Sequence, residues 1–402
     1  MQAPPRRARG CHNTRLPFGR IALDRQITLA LLSLAAAYFT VGTTSLLVVA
    51  VAAPLAVDLR VSPAAVANLL SVFALTFAVT APFAQVMLGH LQRRHLLLIG
   101  LVTLSSATAL SAFASGYEQL FAVRVVAGAG AALVGPMASA IGAGLVREAH
   151  QGRALALVFT GMMLATVLGV PLAAWLGGWL GWKGVFLIVG LIGLGAATAV
   201  AALVHDRGQG APVTFAGLLG VLTARRSGMS VATTLLQMAA QFATYALIVA
   251  FIGERMGASQ AWTVAILFAF GLGGLAGNVL AGFMADRLGA DRTISTSFIG
   301  LALVFALLLG APSQPWLALA LAIVWAVTGT LFQAPLQKRL IAIAPEARGL
   351  LLACNASALY VGMAVGSFLA GVTYRSLGIA VLPAVSLALT VLGAWSFRLA
   401  RR

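Results

Sequence analysis

Carboxylates are scarce in this 402-residue chain: nine Asp and Glu stand against 26 Lys and Arg, for a formal net charge of +17. Cysteine is scarcer still. Cys11 and Cys354 are the only two, too few for a disulfide framework or a thiolate-held metal. No catalytic triad pattern, phosphate loop or metal-ligand cluster occurs, so the chain is expected to be no enzyme and to need no cofactor. Charged residues make up 9% of it, whereas soluble domains carry about a quarter. What is there is apolar, with 61% hydrophobic residues and a mean hydropathy of +0.99. That composition belongs to an all-α polytopic membrane protein, with the lipid bilayer as its first partner. Nucleic acid is not an expected partner, because the basic residues sit singly or in pairs between apolar runs rather than on one polar face.

Apolar runs bounded by charges or turn residues predict twelve transmembrane helices, near 27–53, 64–88, 95–115, 119–145, 154–180, 184–204, 229–252, 260–284, 293–311, 316–342, 349–374 and 379–398. A basic tail, residues 1–26, precedes them. The apolar run after it is too long for a signal-peptide core and is expected to be retained as the first span. The longest polar interruption, 205–228, divides the chain into six-helix halves at 27–204 and 229–402, and Phe215 to Leu222 within it reads as a short surface helix. Apart from Arg124, only Arg60, Lys183, Arg255 and Arg375 fall on the side opposite the N-terminus. Both termini and the central loop are therefore expected in the cytoplasm of a bacterial inner-membrane protein. Trp175, Trp179, Trp182 and Trp316 read as interfacial anchors.

Arg124 is the one charge that a membrane-length segment fails to exclude. Its guanidinium cannot shed its proton and costs about 3 kcal/mol or more in hydrocarbon, so it marks a candidate functional site and calls for a partner. Gly128, Gly130, Ala131 and Ala132 follow, a face on which another helix can approach closely. The halves echo each other. Arg153 and Arg348 each precede a glycine-rich span, and seven residues on lie Thr160 and Asn355, at matching depths.

These residues resemble the major facilitator superfamily, in particular its twelve-helix drug and sugar efflux branch, over nearly the whole chain. Arg124 with Gly128, Gly130, Ala131 and Ala132 is similar to the fourth-helix motif. Gly161, Gly169, Pro171, Gly177 and Gly178 resemble the fifth-helix antiporter motif. Gly282, Asp286, Arg287, Gly289 and Arg292 resemble the superfamily's charged loop after the eighth span, whereas the first copy, Gln85, Gly89, His90, Gln92, Arg93 and Arg94, lacks the acid. The resemblance implies two halves with pseudo-two-fold symmetry that rock around a central cavity, and a monomer. Substrate contacts are expected from Tyr38, Thr43, Thr44, Arg124, Thr160, Gln237, Gln241, Tyr245, Trp325, Gln333 and Asn355. Gating or coupling is expected from Arg124, Asp58, Glu118, Gly169, Pro171, Asp286 and Arg287.

The implied function is export of a small organic solute, a drug, sugar or metabolite, by proton antiport. A proton site needs a titrating group, yet Asp24, Asp58, Glu118, Glu148, Asp206, Glu254, Asp286, Asp291 and Glu346 all map to loops or helix ends. Asp58 or Glu118 is the expected counter-ion of Arg124, with outward snorkelling of the guanidinium as the alternative. Uncoupled movement of a neutral or anionic solute, and a receptor or scaffold without transport, are the competing functions.

Overall fold

Residues 25–147, 150–206, 208–209, 215–310, 314–343 and 348–401 are described by a computed structural model. Nearly all of the tail, together with Asp24, Glu148 and Glu346, lies outside them. Among the described residues the regular structure is helical. In chain order the spans begin with Arg25–Ala50, which continues at an angle as Ala52–Leu59, then Pro63–Leu88, Arg93–Leu110 and Tyr117–Gly144. An apolar stretch of 53 residues, Gln151–Leu203, is next. At about 1.5 Å per residue it would run far beyond a bilayer's roughly 30 Å. Gly181, with φ +67°, turns the chain there and separates a fifth span from a sixth.

The helix Phe215–Thr223 lies in the central connection. The seventh span is broken, Arg225–Tyr245 followed by Ile248–Ala250 and Phe251–Arg255. Gln260–Leu288, Ala290–Leu309, Pro315–Thr330 with Gln333–Ile343, Arg348–Leu377 and Leu382–Arg401 complete twelve. First and seventh spans, related by position in the two halves, both break near the end away from the termini. In the first, Pro54 accounts for the bend: it has no N–H and its ring crowds the carbonyl of Ala50.

Within each half the spans meet backbone to backbone through glycine. A Cβ on Gly130 would lie 2.6 Å from the Leu104 nitrogen of the third span, and one on Gly128 would lie 2.5 Å from the Phe73 oxygen of the second. Gly190 of the sixth span presses equally closely on Ala109 of the third. In a bilayer such contact supplies the dispersion and packing that hydrophobic burial cannot, since lipid is as apolar as leucine. The first span is the most enclosed, with 83% of its apolar window buried, against 33% for the twelfth. The third and sixth spans turn Ile99, Val102, Leu191 and Ile192 outward.

The halves join along two seams. On one, Phe77 of the second span stacks on Tyr360 of the eleventh with ring centroids 3.5 Å apart, and nearer the far end Gly371 sits over the Ala64 carbonyl. On the other, Gly271 of the eighth span lies on the backbone of Thr166 and Val167 of the fifth, and Gln260 donates its amide to the Ala174 oxygen at 3.4 Å. These joints occupy the middle of the bundle and the half away from the termini.

Replacing Gly130 by Val should cost about 1–3 kcal/mol through overpacking against the third span. Gly195, with nothing within 4 Å of its Cβ position, is the matched site where valine should be silent. Thermal unfolding of both variants in detergent decides this; equal melting temperatures would show that the tight contact is not supporting the fold.

Candidate functional site

Arg124 enters the bundle on the second turn of the fourth span, and Gly128, one turn later on the same face, lets that span close on the second so that the guanidinium reaches across. Its side chain is 1% exposed. Nη1 donates to the Thr44 carbonyl at 2.9 Å, Nη2 to Ser45 at 3.5 Å and Nε to Leu69 at 3.5 Å, while the group lies 4.3 Å from the centre of the Phe73 ring. One short charge-assisted bond stabilises by about 1.5–3 kcal/mol and the ring contact by about 0.5–2 kcal/mol, enough to offset the roughly 3 kcal/mol cost of placing the charge in hydrocarbon. The partners are main-chain oxygens of the first and second spans.

The expected carboxylate partner is therefore not found. Asp58, in the last turn of Ala52–Leu59, accepts the Trp182 indole N–H at 2.8 Å and stands 3.9 Å from the Lys183 ammonium. Glu118 is exposed in the first turn of the fourth span, six residues and about 9 Å along the axis from Arg124. Snorkelling also fails as a description, because the guanidinium is inside the bundle. Trp182 corrects a second expectation: it is 2% exposed and bonded to Asp58, whereas Trp175, Trp179 and Trp316 are exposed, as interfacial anchors would be. Among the described residues, Asp58, Glu118, Asp206, Glu254, Asp286 and Asp291 all stand at helix ends or beyond them.

Around this centre the antiporter-like stretch has a distinct backbone. Ala165–Gly169 forms one π-helical turn that runs directly into Pro171, whose ring crowds the Val167 carbonyl and whose missing N–H releases a helical bond. Gly169 gives room to the Thr43 side chain. The hydroxyls of Thr43 and Thr44 are buried without a hydrogen-bond partner, beside the carbonyls that hold Arg124.

The remaining candidates divide by the neighbours they meet. Tyr38 donates to the Gly135 carbonyl at 2.8 Å, lies 2.7 Å from Ser139 Oγ, and packs on Phe159 of the fifth span. Thr160 is exposed and bonded to its own helix at Ala156. Asn355 accepts from Thr234, joining eleventh and seventh spans. Gln237, expected to face the cavity, is wholly buried and donates to Ser297 of the ninth span at 3.3 Å. Gln241 donates to Gly329 of the tenth at 3.4 Å. Tyr245 joins Phe270, Trp325 and Phe305 in an aromatic cluster with neighbouring centroids 4.7–6.1 Å apart. A four-residue step advances about 400° around a helix, so each successive side chain drifts by about 40° and reaches a different neighbour. The three were expected on one face; the drift separates them. Gln333 is half-buried at the start of the tenth span's second segment.

At the end bearing the termini, Asp286 pairs with Lys338 at 3.2 Å rather than with Arg287, which lies on Phe283. Both partners are well exposed, so the pair contributes at most about 1 kcal/mol. The firmer tie is Asp291, which meets Arg339 and Arg401 and so links ninth, tenth and twelfth spans. Sequence reasoning missed it, although an acid in the first turn of a helix is the favourable place for one. It also missed Gln260 and Phe77. Gln260 carried a signal, as an amide opening an otherwise apolar span; Phe77 carried none.

Two six-helix halves meet at aromatic and glycine-lined seams, with a desolvated cation inside the first half, which is the architecture of a polytopic membrane protein. The description Major Facilitator Superfamily matches residues 30–268 and 229–402, and the chain belongs to that family. It is 29% identical to the inner membrane transport protein YdhP of Escherichia coli strain K12, over 86% of this chain and 89% of that one. It is 32% identical to a chloramphenicol resistance protein of Streptomyces lividans, over 64% and 67% respectively. Its fold is similar to that of a bacterial homolog of the human lysosomal transporter Spinster, with a TM-score of 0.74 at 15% identity, covering 94% of this chain and 98% of the other.

Asp58→Asn and Trp182→Phe should each lower stability by about 1 kcal/mol, a charge-assisted bond discounted for partial exposure. The double variant should lose little more than either single one. A double-mutant cycle from thermal unfolding tests this; additive losses would show that the bond carries no stability.

Proposed function

We propose that the protein exports a small organic solute across the bacterial cytoplasmic membrane by alternating access, in exchange for protons. The observation that carries the proposal is the asymmetry of the seams: Phe77 on Tyr360, Gly371 on Ala64 and Gln260 on Ala174 close the bundle from its middle to the end away from the termini. The bias of Lys and Arg toward the other end supports placing both termini in the cytoplasm. On this reading the space between the halves opens inward, the state in which an exporter loads. Similarity to a chloramphenicol resistance protein favours export and an uncharged organic solute over uptake. Tyr38, Thr160, Asn355 and the Tyr245–Trp325 cluster are the proposed contacts. With no carboxylate among the described residues away from helix ends, the path suits a neutral or anionic solute better than a cation.

In this proposal Arg124 acts through the first span. When the far end opens, the first and second spans separate from their partners, the carbonyl cradle loosens, and the cation gains access to water, where Glu118 or Asp58 can pair with it and so release its own proton to solvent. The placement of the acids supports a second reading, uncoupled facilitation, in which Arg124 only pins the helices.

Efflux-deficient cells expressing the protein should tolerate more of an amphenicol, and vesicles should move radiolabelled chloramphenicol faster with an imposed pH gradient. Arg124→Gln, checked for normal folding, should lose most of that flux. Flux that ignores the gradient yet survives in the wild type would replace antiport by facilitation; no flux with a broad panel of neutral and anionic solutes would remove export.

A further inference from the structure

Four residues of the first half and one of the second close a ring inside the bundle. Arg124 Nη2 donates to the Ser45 carbonyl at 3.5 Å, and the guanidinium lies 4.3 Å from the centre of the Phe73 ring. One turn beyond Phe73 on the same face of the second span comes Phe77, which stacks on Tyr360 of the eleventh span with 3.5 Å between centroids and 19° between planes. The Tyr360 phenol is in turn a hydrogen-bonding neighbour of the Ser45 side chain. Ser45 Oγ directs its own hydrogen to the Val41 carbonyl at 2.7 Å, so toward the phenol it can only accept. Tyr360, 8% exposed, thus meets both spans whose main chain holds the cation, the second through Phe77 and the first through Ser45.

Tyr360 is also fixed to its own half. Two residues on, Gly362 presses on the Leu235 carbonyl of the seventh span, a Cβ on Gly366 would lie 2.5 Å from the Ala239 oxygen, and Asn355 accepts from Thr234. Glycine contacts this close leave the eleventh span little room to shift against the seventh. The ring therefore crosses from one body to the other through two groups with different demands: the stack needs the rings near parallel, and the hydrogen bond needs the phenol within reach of Ser45. A rotation of one half against the other disturbs both.

We propose, resting on alternating access alone and not on the direction, solute or proton of the function proposed above, that Tyr360 is a positioning residue for Arg124. While the halves meet, it braces the first and second spans around the guanidinium; when they part, it withdraws both supports together. The second half thereby controls a cation that belongs wholly to the first.

Thermal unfolding of the full chain in detergent tests this. Tyr360→Phe keeps the stack and removes only the hydroxyl; it should lower the melting temperature of the wild type and have little further effect beside Arg124→Gln, because the hydroxyl supports a cradle that is then empty. Tyr374→Phe, on the same span but bonded to Glu254 at 3.0 Å, should act equally in both backgrounds. Where Arg124→Gln does not fold, Arg124→Lys, which keeps the charge and loses the planar fork, replaces it. Additive losses for Tyr360 and Arg124 would overturn the proposal. In proteoliposomes Tyr360→Phe should slow the maximal rate of chloramphenicol flux about two- to tenfold, the size of one neutral hydrogen bond, and leave KM unchanged. A raised KM at an unchanged rate would make Tyr360 a solute contact and likewise overturn it. The melting cycle needs no transported solute, so it decides between these outcomes even if chloramphenicol is not carried, a result that counts against the proposed solute alone.

Discussion

A cation that cannot be discharged sits in a protein interior built to exclude charge, and the arrangement of three helices follows from holding it. The carbonyls of Thr44, Ser45 and Leu69 reach Arg124 only because Gly128 lets the fourth span lie against the second at the Phe73 backbone. Each carbonyl keeps a second lone pair after its own helical bond, so the first and second spans hold the guanidinium without surrendering their secondary structure. Gly169 and the π turn then let the fifth span settle on Thr43, one residue from that cradle. Charge, glycine and irregular backbone are thus parts of one local solution.

The same solution separates the two jobs usually given to ionisable groups in a transport protein. Apart from Arg124, the charges of the described chain fall at the two ends of the bundle, where Asp58 meets Trp182 and Lys183 and Asp291 meets Arg339 and Arg401. Between the ends the polar groups are hydroxyls, amides and aromatic rings, and the contacts that join the halves are neutral, Phe77 on Tyr360 and the Gln260 amide on the Ala174 carbonyl. Neutral contacts of this kind exchange partners at low cost, which suits surfaces that have to slide; the ion pairs bind spans within a half, which has to move as a body.

What was legible in the sequence is what hydropathy and charge encode directly. Twelve spans, the six-plus-six division and the singular status of Arg124 follow from where apolar runs stop and where a charge interrupts one. The partner of Arg124 was not legible, because main-chain oxygens leave no mark in residue identity and only the fold says which three converge. Trp182 was read with Trp175 and Trp179 because indoles three or four residues apart near a span end look alike; burial against Asp58 distinguishes it. The row Gln237, Gln241, Tyr245 was read as one face, and the 40° drift per step was enough to deliver its members to the ninth, tenth and eighth spans. The charged loop was half legible: the missing acid after the second span was plain, but that Arg93 and Arg94 would bind the connecting segment instead depends on tertiary geometry.

The positive φ at Gly181 has a consequence for how two spans are held. With one residue rather than a polar linker making the turn, the fifth and sixth spans form a tight hairpin whose tip has little freedom of its own. That tip carries Trp182 and Lys183, and both meet the carboxylate of Asp58 at the end of the first span. One side chain on the first span is thus a fixed point against which two later spans rest.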